Sequence, residues 1–317
     1  MKHAFWISLV SVVLAGACAE NTENNSGPKL VNGQLAQSSD YPATVVYLMP
    51  DGGLCTATKV ATRFFLTAAH CVATGSGQVS RSLTGAAVIK ASNFPKRNVA
   101  DTSMWHSNRV KRVILNDDFV RTCQAAGVDC SFAISNAFVP APDLALIEFY
   151  NDLPAQWPSA RIDKTYVWDA DKVAVVGYGC ENGLDNPDTP DERKKFGHTY
   201  VVPGTEVNKP NVVVDSNKFD LFDSRYFLTP GTHYNYQSST SNVSVCPGDS
   251  GGPVYRTGTD IVVGVIASYT FYDPSDGYSW VNLHARLADP IGLNPNVTLW
   301  LQSYLPGSSI TSTQRAL

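Results

Sequence analysis

Short apolar runs dominate the chain between residues 44 and 287. They are rich in Val, Ile, Leu and Phe, and segments rich in Gly, Pro, Asn, Asp and Ser separate them. Short runs bounded by turn-forming residues are typical of the strands of β-sandwiches and β-barrels. The pattern therefore predicts an all-β fold. The predicted strands are residues 44–48, 64–67, 110–115, 144–150, 173–176, 212–214, 261–266 and 278–283.

Helical periodicity appears only near the C-terminus. Val297, Trp300, Leu301 and Tyr304 fall on one face at helical spacing, which predicts a helix ending near residue 305. Residues 306–317 are rich in Ser and Thr, and we expect them to form a flexible tail.

The N-terminus has the pattern of an export signal. A short basic start precedes an apolar run that is well below the roughly 20 residues a membrane-spanning helix needs. Residues 1–19 are therefore predicted to be a signal peptide. The residues before Cys18 resemble a bacterial lipoprotein signal, in which Cys18 would carry the lipid. Ordinary cleavage within residues 17–20 is the alternative, and it would discard that cysteine or leave it unlipidated.

Residues 20–29 are polar and contain no large apolar side chain, so they are predicted to be a pro-segment or tether. A lipid at Cys18 would then be the only link to a membrane. The protein is expected to be secreted, periplasmic or lipid-anchored at the cell surface.

Composition narrows the function. The chain has 317 residues, a formal net charge of −4 and no basic cluster, so nucleic acid is not an expected partner. Its seven cysteines are an odd number, and setting Cys18 aside leaves six in an exported chain, where disulfides persist. No histidine lies in a metal-ligand spacing, so we expect neither a required metal nor a cofactor.

Three separated segments carry candidate chemistry. Residues 246–253 (CPGDSGGP) offer the hydroxyl of Ser250, and glycines beside it allow sharp backbone turns. A serine nucleophile needs a base and a site for the developing oxyanion. The backbone N–H groups of Gly248 and Ser250 would form that oxyanion hole. His70, in the segment LTAAHC, is the candidate base, and Asp143, at the start of DLALIEF, is its candidate partner.

In this order, the three segments resemble the signatures of the trypsin/chymotrypsin family of serine endopeptidases. The resemblance covers residues 30–305. It implies two six-stranded antiparallel β-barrels with the active site in the cleft between them, a crossover near residues 152–165 and a C-terminal helix. The first barrel would carry His70 and Asp143, and the second would carry Ser250. It also implies a monomer that cleaves protein or peptide substrates through an acyl-enzyme.

An activation step is implied by the same resemblance. Residues 30–33 (LVNG) are similar to the mature start of family members. Cleavage after Lys29 by an activating protease would free the amine of Leu30, which would pair with Asp249. Alternatively, Leu30 only opens a strand. Cleavage of a lipid-anchored zymogen would release a soluble enzyme unless the cleaved segment stays bound.

The resemblance implies one disulfide, and the remaining cysteines leave two further pairs. Cys55 and Cys71 match the bridge beside the catalytic histidine, and Cys123 and Cys130 are close enough in sequence to staple one loop. The remaining pair departs from the family pattern, in which the cysteine of the serine segment pairs with a later one, because no cysteine follows Cys246. That pair is Cys180 with Cys246.

The specificity pocket also departs from the trypsin pattern. Ser244 stands six residues before the serine, where trypsin-like members have an aspartate. Ser268, Tyr269 and Gly277 would line the walls. This set predicts a preference for uncharged apolar or small P1 side chains, although Asp276 could restore a basic preference if it reached inward.

Two alternatives remain from the residues alone. The segment GDSGG also fits the G-x-S-x-G turn of α/β-hydrolases, with His284 as base, although the alternating helices of that fold are missing. The other alternative is a non-catalytic binding protein on a protease scaffold, although all three triad residues are present.

Overall fold

Antiparallel β-strands make up most of the secondary structure. The computed structural model describes residues 30, 33–74, 76–85, 87–94, 102–126, 141–179, 193–202, 225–231, 243–270, 281–289 and 296–313.

Six antiparallel strands close into a barrel in the N-terminal half, and a short strand precedes them. The strands are β1 (Gln34–Leu35), β2 (Thr44–Leu48), β3 (Leu54–Ala61), β4 (Phe64–Thr67), β5 (Val88–Ser92), β6 (His106–Leu115) and β7 (Ala145–Phe149). The order around the barrel is β2-β3-β4-β7-β6-β5, and β1 pairs instead with the second half of the molecule. The core contains the fully buried side chains of Val45, Phe65 and Leu146.

The C-terminal half forms a half-barrel of six strands, preceded by a short strand in the crossover from the first barrel. The strands are β8 (Arg161–Asp163) in the crossover, then β9 (Lys172–Gly177), β10 (Lys195–Tyr200), β11 (Tyr226–Pro230), β12 (Pro253–Arg256), β13 (Ile261–Thr270) and β14 (Val281–Arg286). Their order is β10-β9-β12-β13-β14-β11, with β8 parallel to β13. An isolated bridge between Val202 and Leu228 joins the two ends of the half-barrel. The predicted all-β class is confirmed.

The predicted C-terminal helix is confirmed, and a second helix was missed. Helix α1 (Asp117–Ala126) begins after Asn116, whose side-chain oxygen accepts the backbone N–H of Asp118 at 3.0 Å. Such a cap satisfies a donor that the first helical turn leaves free. Helix α2 (Asn296–Tyr304) packs Trp300 into the core. No helix in the described residues is both long and apolar enough to cross a membrane.

The described part of the segment expected to be a flexible tail, residues 307–313, contains a 3₁₀ turn (Gly307–Ser309) and a short strand. A strand β15 (Ile310–Thr311) pairs in parallel with β8. Beyond it, the backbone N–H and the hydroxyl of Thr313 both donate to the buried carboxylate of Asp163, which also accepts from Arg256 at 2.6 Å. One of the small polar side chains behind that expectation, that of Thr313, donates to a buried charge.

Candidate active site

His70 and Asp143 lie at the same end of two paired strands. β4 and β7 run antiparallel with Thr67 opposite Ala145, so the end of one meets the start of the other. His70 lies in the single 3₁₀ turn that follows β4, and Asp143 lies just before β7. One carboxylate oxygen lies 2.6 Å from the ring Nδ1 of His70, and the other accepts its backbone N–H at 2.9 Å. This two-point contact fixes the orientation of the imidazole.

The charge balance at His70 favours a basic ring. Burial works against the charged ring, but the buried Asp143 carboxylate outweighs it, so the pKa of His70 lies above its ordinary value. A carboxylate facing Nδ1 favours the tautomer with the proton on that nitrogen. The other nitrogen, Nε2, is then able to accept a proton. The ring remains reachable, since the side chain of His70 is 20% exposed.

Ser250 lies in a tight loop that packs against the first barrel beside His70. This serine loop comprises residues 246–252 and leads into β12. The backbone oxygen of Ser250 accepts the N–H of Thr56 on β3 at 2.9 Å, and the sulfur of Cys71 lies 3.7 Å from the same oxygen. Ser250 and His70 therefore lie in the same region, although no hydrogen bond among the described residues joins Nε2 of His70 to the Ser250 hydroxyl.

The two backbone N–H groups predicted to form the oxyanion hole make no hydrogen bond to the described residues. Gly248 has φ +97°, a conformation open mainly to glycine. Turn bonds from Asp249 N to Cys246 O and from Gly252 N to Asp249 O shape the loop, at 3.0 and 2.8 Å. In the described part of the chain, no hydrogen bond uses the N–H of Gly248 or Ser250. Both donors are thus available to a ligand.

Thr56 fastens the serine loop to the first barrel, a role that the sequence did not reveal. In addition to its backbone bond to Ser250, its hydroxyl donates to the oxygen of Gly248 at 2.8 Å. The same hydroxyl accepts the N–H of Tyr178 at 3.2 Å. Its position directly after Cys55 was the available signal.

The contact between the serine loop and the first barrel leaves no room for a side chain at Gly251. Its φ is +80°, and a Cβ there would lie 2.1 Å from the Thr67 hydroxyl and 2.3 Å from the Thr56 oxygen. We expect Gly251→Ala to lower the free energy of unfolding by about 2–5 kcal/mol, from strain and overpacking together. Urea unfolding would measure the change. Gly258→Ala is the matched control, with φ +75° but open space, and should cost only about 1 kcal/mol. Equal losses would contradict the packing explanation.

Asp249 is a fully buried carboxylate within the serine loop. One oxygen accepts the N–H of Gly179 at 2.7 Å, and the other accepts that of Cys246 at 2.9 Å. Burial raises its pKa to about 6, against the effect of these bonds and of the Lys195 charge. In the full-length chain the nitrogen of Leu30 is part of the peptide bond to Lys29. Its side chain is buried in the apolar core of the second half.

One of the three predicted disulfides is seen directly. Cys55 and Cys71 are bonded, which links β3 to the turn that carries His70. Cys123 and Cys246 are also disulfide-bonded, with partners outside the described residues. Cys18, Cys130 and Cys180 all lie outside them, so the predicted pairs Cys123–Cys130 and Cys180–Cys246 stay predictions.

The predicted pocket is described in part. Ser244 is buried just before the serine loop, and Ser268 is half-buried on β13. The side chain of Tyr269 and all of Gly277 lie outside the described residues. The amide of Asn282 accepts from Val245 N at 3.0 Å and donates to Val243 O at 2.7 Å. This buried side chain, which the sequence did not single out, holds the segment that carries Ser244.

The α/β-hydrolase alternative does not hold. The sheets are mainly antiparallel, and His284 lies within β14 with a fully buried ring. Its Nε2 lies 2.9 Å from the hydroxyl of Thr229, and burial lowers its pKa to about 3.

Together, the closed barrel, the half-barrel and the histidine–aspartate pair beside the serine loop define the fold of a trypsin-like serine protease. A family model described as Trypsin matches residues 30–279. The chain belongs to the trypsin family.

Solved structures show the same fold at low sequence identity. A structure of HL collagenase is 15% identical with a TM-score of 0.50, covering 80% of this chain and 92% of that one. Neuropsin, a serine protease expressed in the limbic system of mouse brain, is 13% identical with a TM-score of 0.53, covering 86% of this chain and 97% of that one. No curated protein sequence matched this chain.

Proposed function

We propose that this chain is an exported serine endopeptidase that hydrolyses peptide bonds through an acyl-enzyme. The observation that carries the proposal is the two-point contact of Asp143 with His70, next to a serine loop. In that loop the N–H groups of Gly248 and Ser250 make no hydrogen bond within the described part of the chain. This arrangement supports a base oriented by a carboxylate (His70), a nucleophile (Ser250) and an oxyanion site close together.

Each residue then has a defined part in the reaction. The hydroxyl of Ser250 attacks the substrate carbonyl while Nε2 of His70 takes its proton. Asp143 stabilises the resulting imidazolium, and the N–H groups of Gly248 and Ser250 stabilise the oxyanion. His70 then protonates the leaving amine. Water, activated by the same ring, hydrolyses the acyl-enzyme and restores Ser250.

The proposal includes zymogen activation. Cleavage after Lys29 would free the Leu30 amine, and this amine would pair with the buried charge of Asp249. The burial of that carboxylate supports the pairing, because a cation brought beside a buried carboxylate stabilises its charged form.

The substitution Asp249→Asn tests this activation. An amide in place of the carboxylate turns one acceptor into a donor facing the N–H of Cys246 or Gly179. We expect a folded protein whose kcat/KM after cleavage is lowered about 100-fold or more, because losing even one oxyanion donor costs that much. Asp260→Asn, at an exposed side chain, is the control and should keep full activity. Full activity of the Asp249→Asn protein would rule out the pairing of Leu30 with Asp249.

Substrate preference is proposed to be for uncharged apolar or small P1 side chains, because Ser244, which the family resemblance assigns to the pocket floor, is buried and carries no charge. A peptide library measures this preference directly. Dominant cleavage after Arg would overturn it and point to Asp276.

The function itself is tested with a fluorophosphonate probe after cleavage at Lys29. We expect covalent labelling at Ser250, located by peptide mapping. No labelling under any activation condition would favour the non-catalytic binding protein. The N-terminal residue and mass of the exported protein would show whether Cys18 is lipidated and whether Leu30 becomes the first residue.

A further inference from the structure

Two consecutive lysines at the start of β10 are fully buried. Both Lys194, just before the strand, and Lys195, its first residue, have 0% relative exposure. Neighbouring residues of extended chain point to opposite faces of the sheet. Accordingly, the ammonium of Lys194 donates to the backbone oxygens of Asp40 and Tyr41, at 3.3 and 3.2 Å, whereas that of Lys195 donates to the oxygen of Gly179 at 3.3 Å. The two charges thus serve different parts of the molecule.

The strand register aims Lys195 toward Asp249. Lys195 lies directly opposite Gly177 in the antiparallel pair of β10 and β9. Opposite residues in such a pair project from the same face of the sheet. A Cβ at Gly177 would lie 2.0 Å from the Oδ1 atom of Asp249, so Asp249 lies on that face. A side chain at Gly177 would therefore collide with the Asp249 carboxylate, which occupies that space.

Gly179 connects the two charges. Its N–H donates to Asp249 at 2.7 Å, and its oxygen accepts from Lys195 at 3.3 Å. No side chain fits here either, since a Cβ at Gly179 would lie 2.5 Å from the carboxylate carbon of Asp249. The Asp249 carboxylate therefore packs against two glycines, and the backbone of Gly179 joins it to the ammonium of Lys195.

We propose that Lys195 is a positioning residue: its buried ammonium is an internal counter-charge for Asp249 that holds the serine loop formed before the chain is cut. The inference rests on the proposed peptidase function and deepens its regulation. A buried carboxylate is stabilised in its charged form by a nearby cation. In the uncut chain that cation is Lys195, and after cleavage the Leu30 amine adds a second one. The uncut chain should therefore have activity of its own.

The first experiment compares uncut and cut protein. Lys29→Ala blocks cleavage, and the fluorophosphonate labelling rate reports the formed site. We expect the uncut Lys29→Ala protein to be labelled. The double variant Lys29→Ala with Lys195→Met should be labelled about tenfold or more slowly, since a nearby opposite charge shifts a carboxyl pKa by one unit or more. In cut protein with Lys29 intact, Lys195→Met should change the rate less than about threefold, because the Leu30 amine compensates.

The matched control is Lys194→Met, since it removes an equally buried ammonium that points to the other face of the sheet. It should leave the labelling rate of uncut protein within about threefold. Equal losses from Lys195→Met in cut and uncut protein would show a merely structural role and overturn the proposal. An uncut parent protein that is inert while the cut protein is labelled would also overturn it.

A second measurement does not depend on catalysis. In uncut Ser250→Ala protein, ¹³C NMR titration of the Asp249 carboxyl should show its pKa rising by about one unit or more on Lys195→Met, and not on Lys194→Met. An unchanged pKa would refute the counter-charge. If the cut wild-type protein is never labelled, the peptidase function fails instead, and the titration still decides the role of Lys195.

Discussion

Ser250→Ala is expected to lower kcat about 10⁶-fold while leaving the fold intact. The change removes the nucleophile of the proposed acyl transfer but keeps the described hydrogen bond of Ser250, which uses its backbone oxygen. Turnover of a chromogenic peptide by the cut protein would give the rate, and urea unfolding would show an unchanged midpoint.

The double variant Ser250→Ala with His70→Ala provides the control for concerted action. Residues that act as one unit lose no more together than alone. We therefore expect the double variant to match Ser250→Ala. A further large drop would mean that His70 acts independently of Ser250 and would contradict the proposed mechanism.

Asp143→Asn is expected to lower kcat about 10⁴-fold, the size of this change in enzymes with a serine–histidine–aspartate triad. The amide can donate to Nδ1 of His70, which moves the ring proton to Nε2 and removes the base. KM should change little, because Asp143 is buried away from substrate.

The pH profile of the same variant adds an independent readout. Catalysis needs a neutral His70, so wild-type activity should rise with pH through a pKa above the ordinary histidine value. Without the carboxylate only burial remains, and the acidic limb of the residual activity should move to lower pH. Asp152→Asn, at an exposed aspartate, should leave the limb in place. An unmoved limb in the Asp143→Asn protein would contradict the electrostatic role of Asp143.

Local pattern predicted the strands whose buried positions are apolar and missed those stabilised from a distance. β4 was predicted with its observed bounds because residues 64–67 are nearly all apolar. β3 was missed because it contains Thr56, Thr58 and Lys59, which are buried. The ammonium of Lys59 donates to the backbone oxygens of Pro154 and Trp157, at 3.0 and 2.7 Å. Partners so far away in sequence cannot be inferred from periodicity.

The candidate site shows the same division. His70, Asp143 and Ser250 stand in segments whose local sequence suggested their chemistry. Lys195 and Asn282 carry no local signal, because their hydrogen-bond partners, Gly179 and residues 243–245, are distant in sequence. Helix α1 was missed for a related reason: its cap is a single side chain, and the helix contains only two large apolar residues.

The pairing of β8 with β15 constrains the order in which parts of the nascent protein can fold. β8 belongs to the crossover between the two halves, yet its strand partners come from β13 and from residues 310–311. The carboxylate of Asp163 gains its last donors from Thr313, which lies 150 residues further along the chain. A ribosome adding about 5–20 residues per second needs about 8–30 s to cover that distance. The N-terminal barrel can close during this interval, whereas the crossover between the halves lacks its hydrogen bonds to Thr313 until that residue has emerged. Ser250 emerges within this interval, so all three catalytic candidates are on the nascent chain before the crossover is fixed by Thr313.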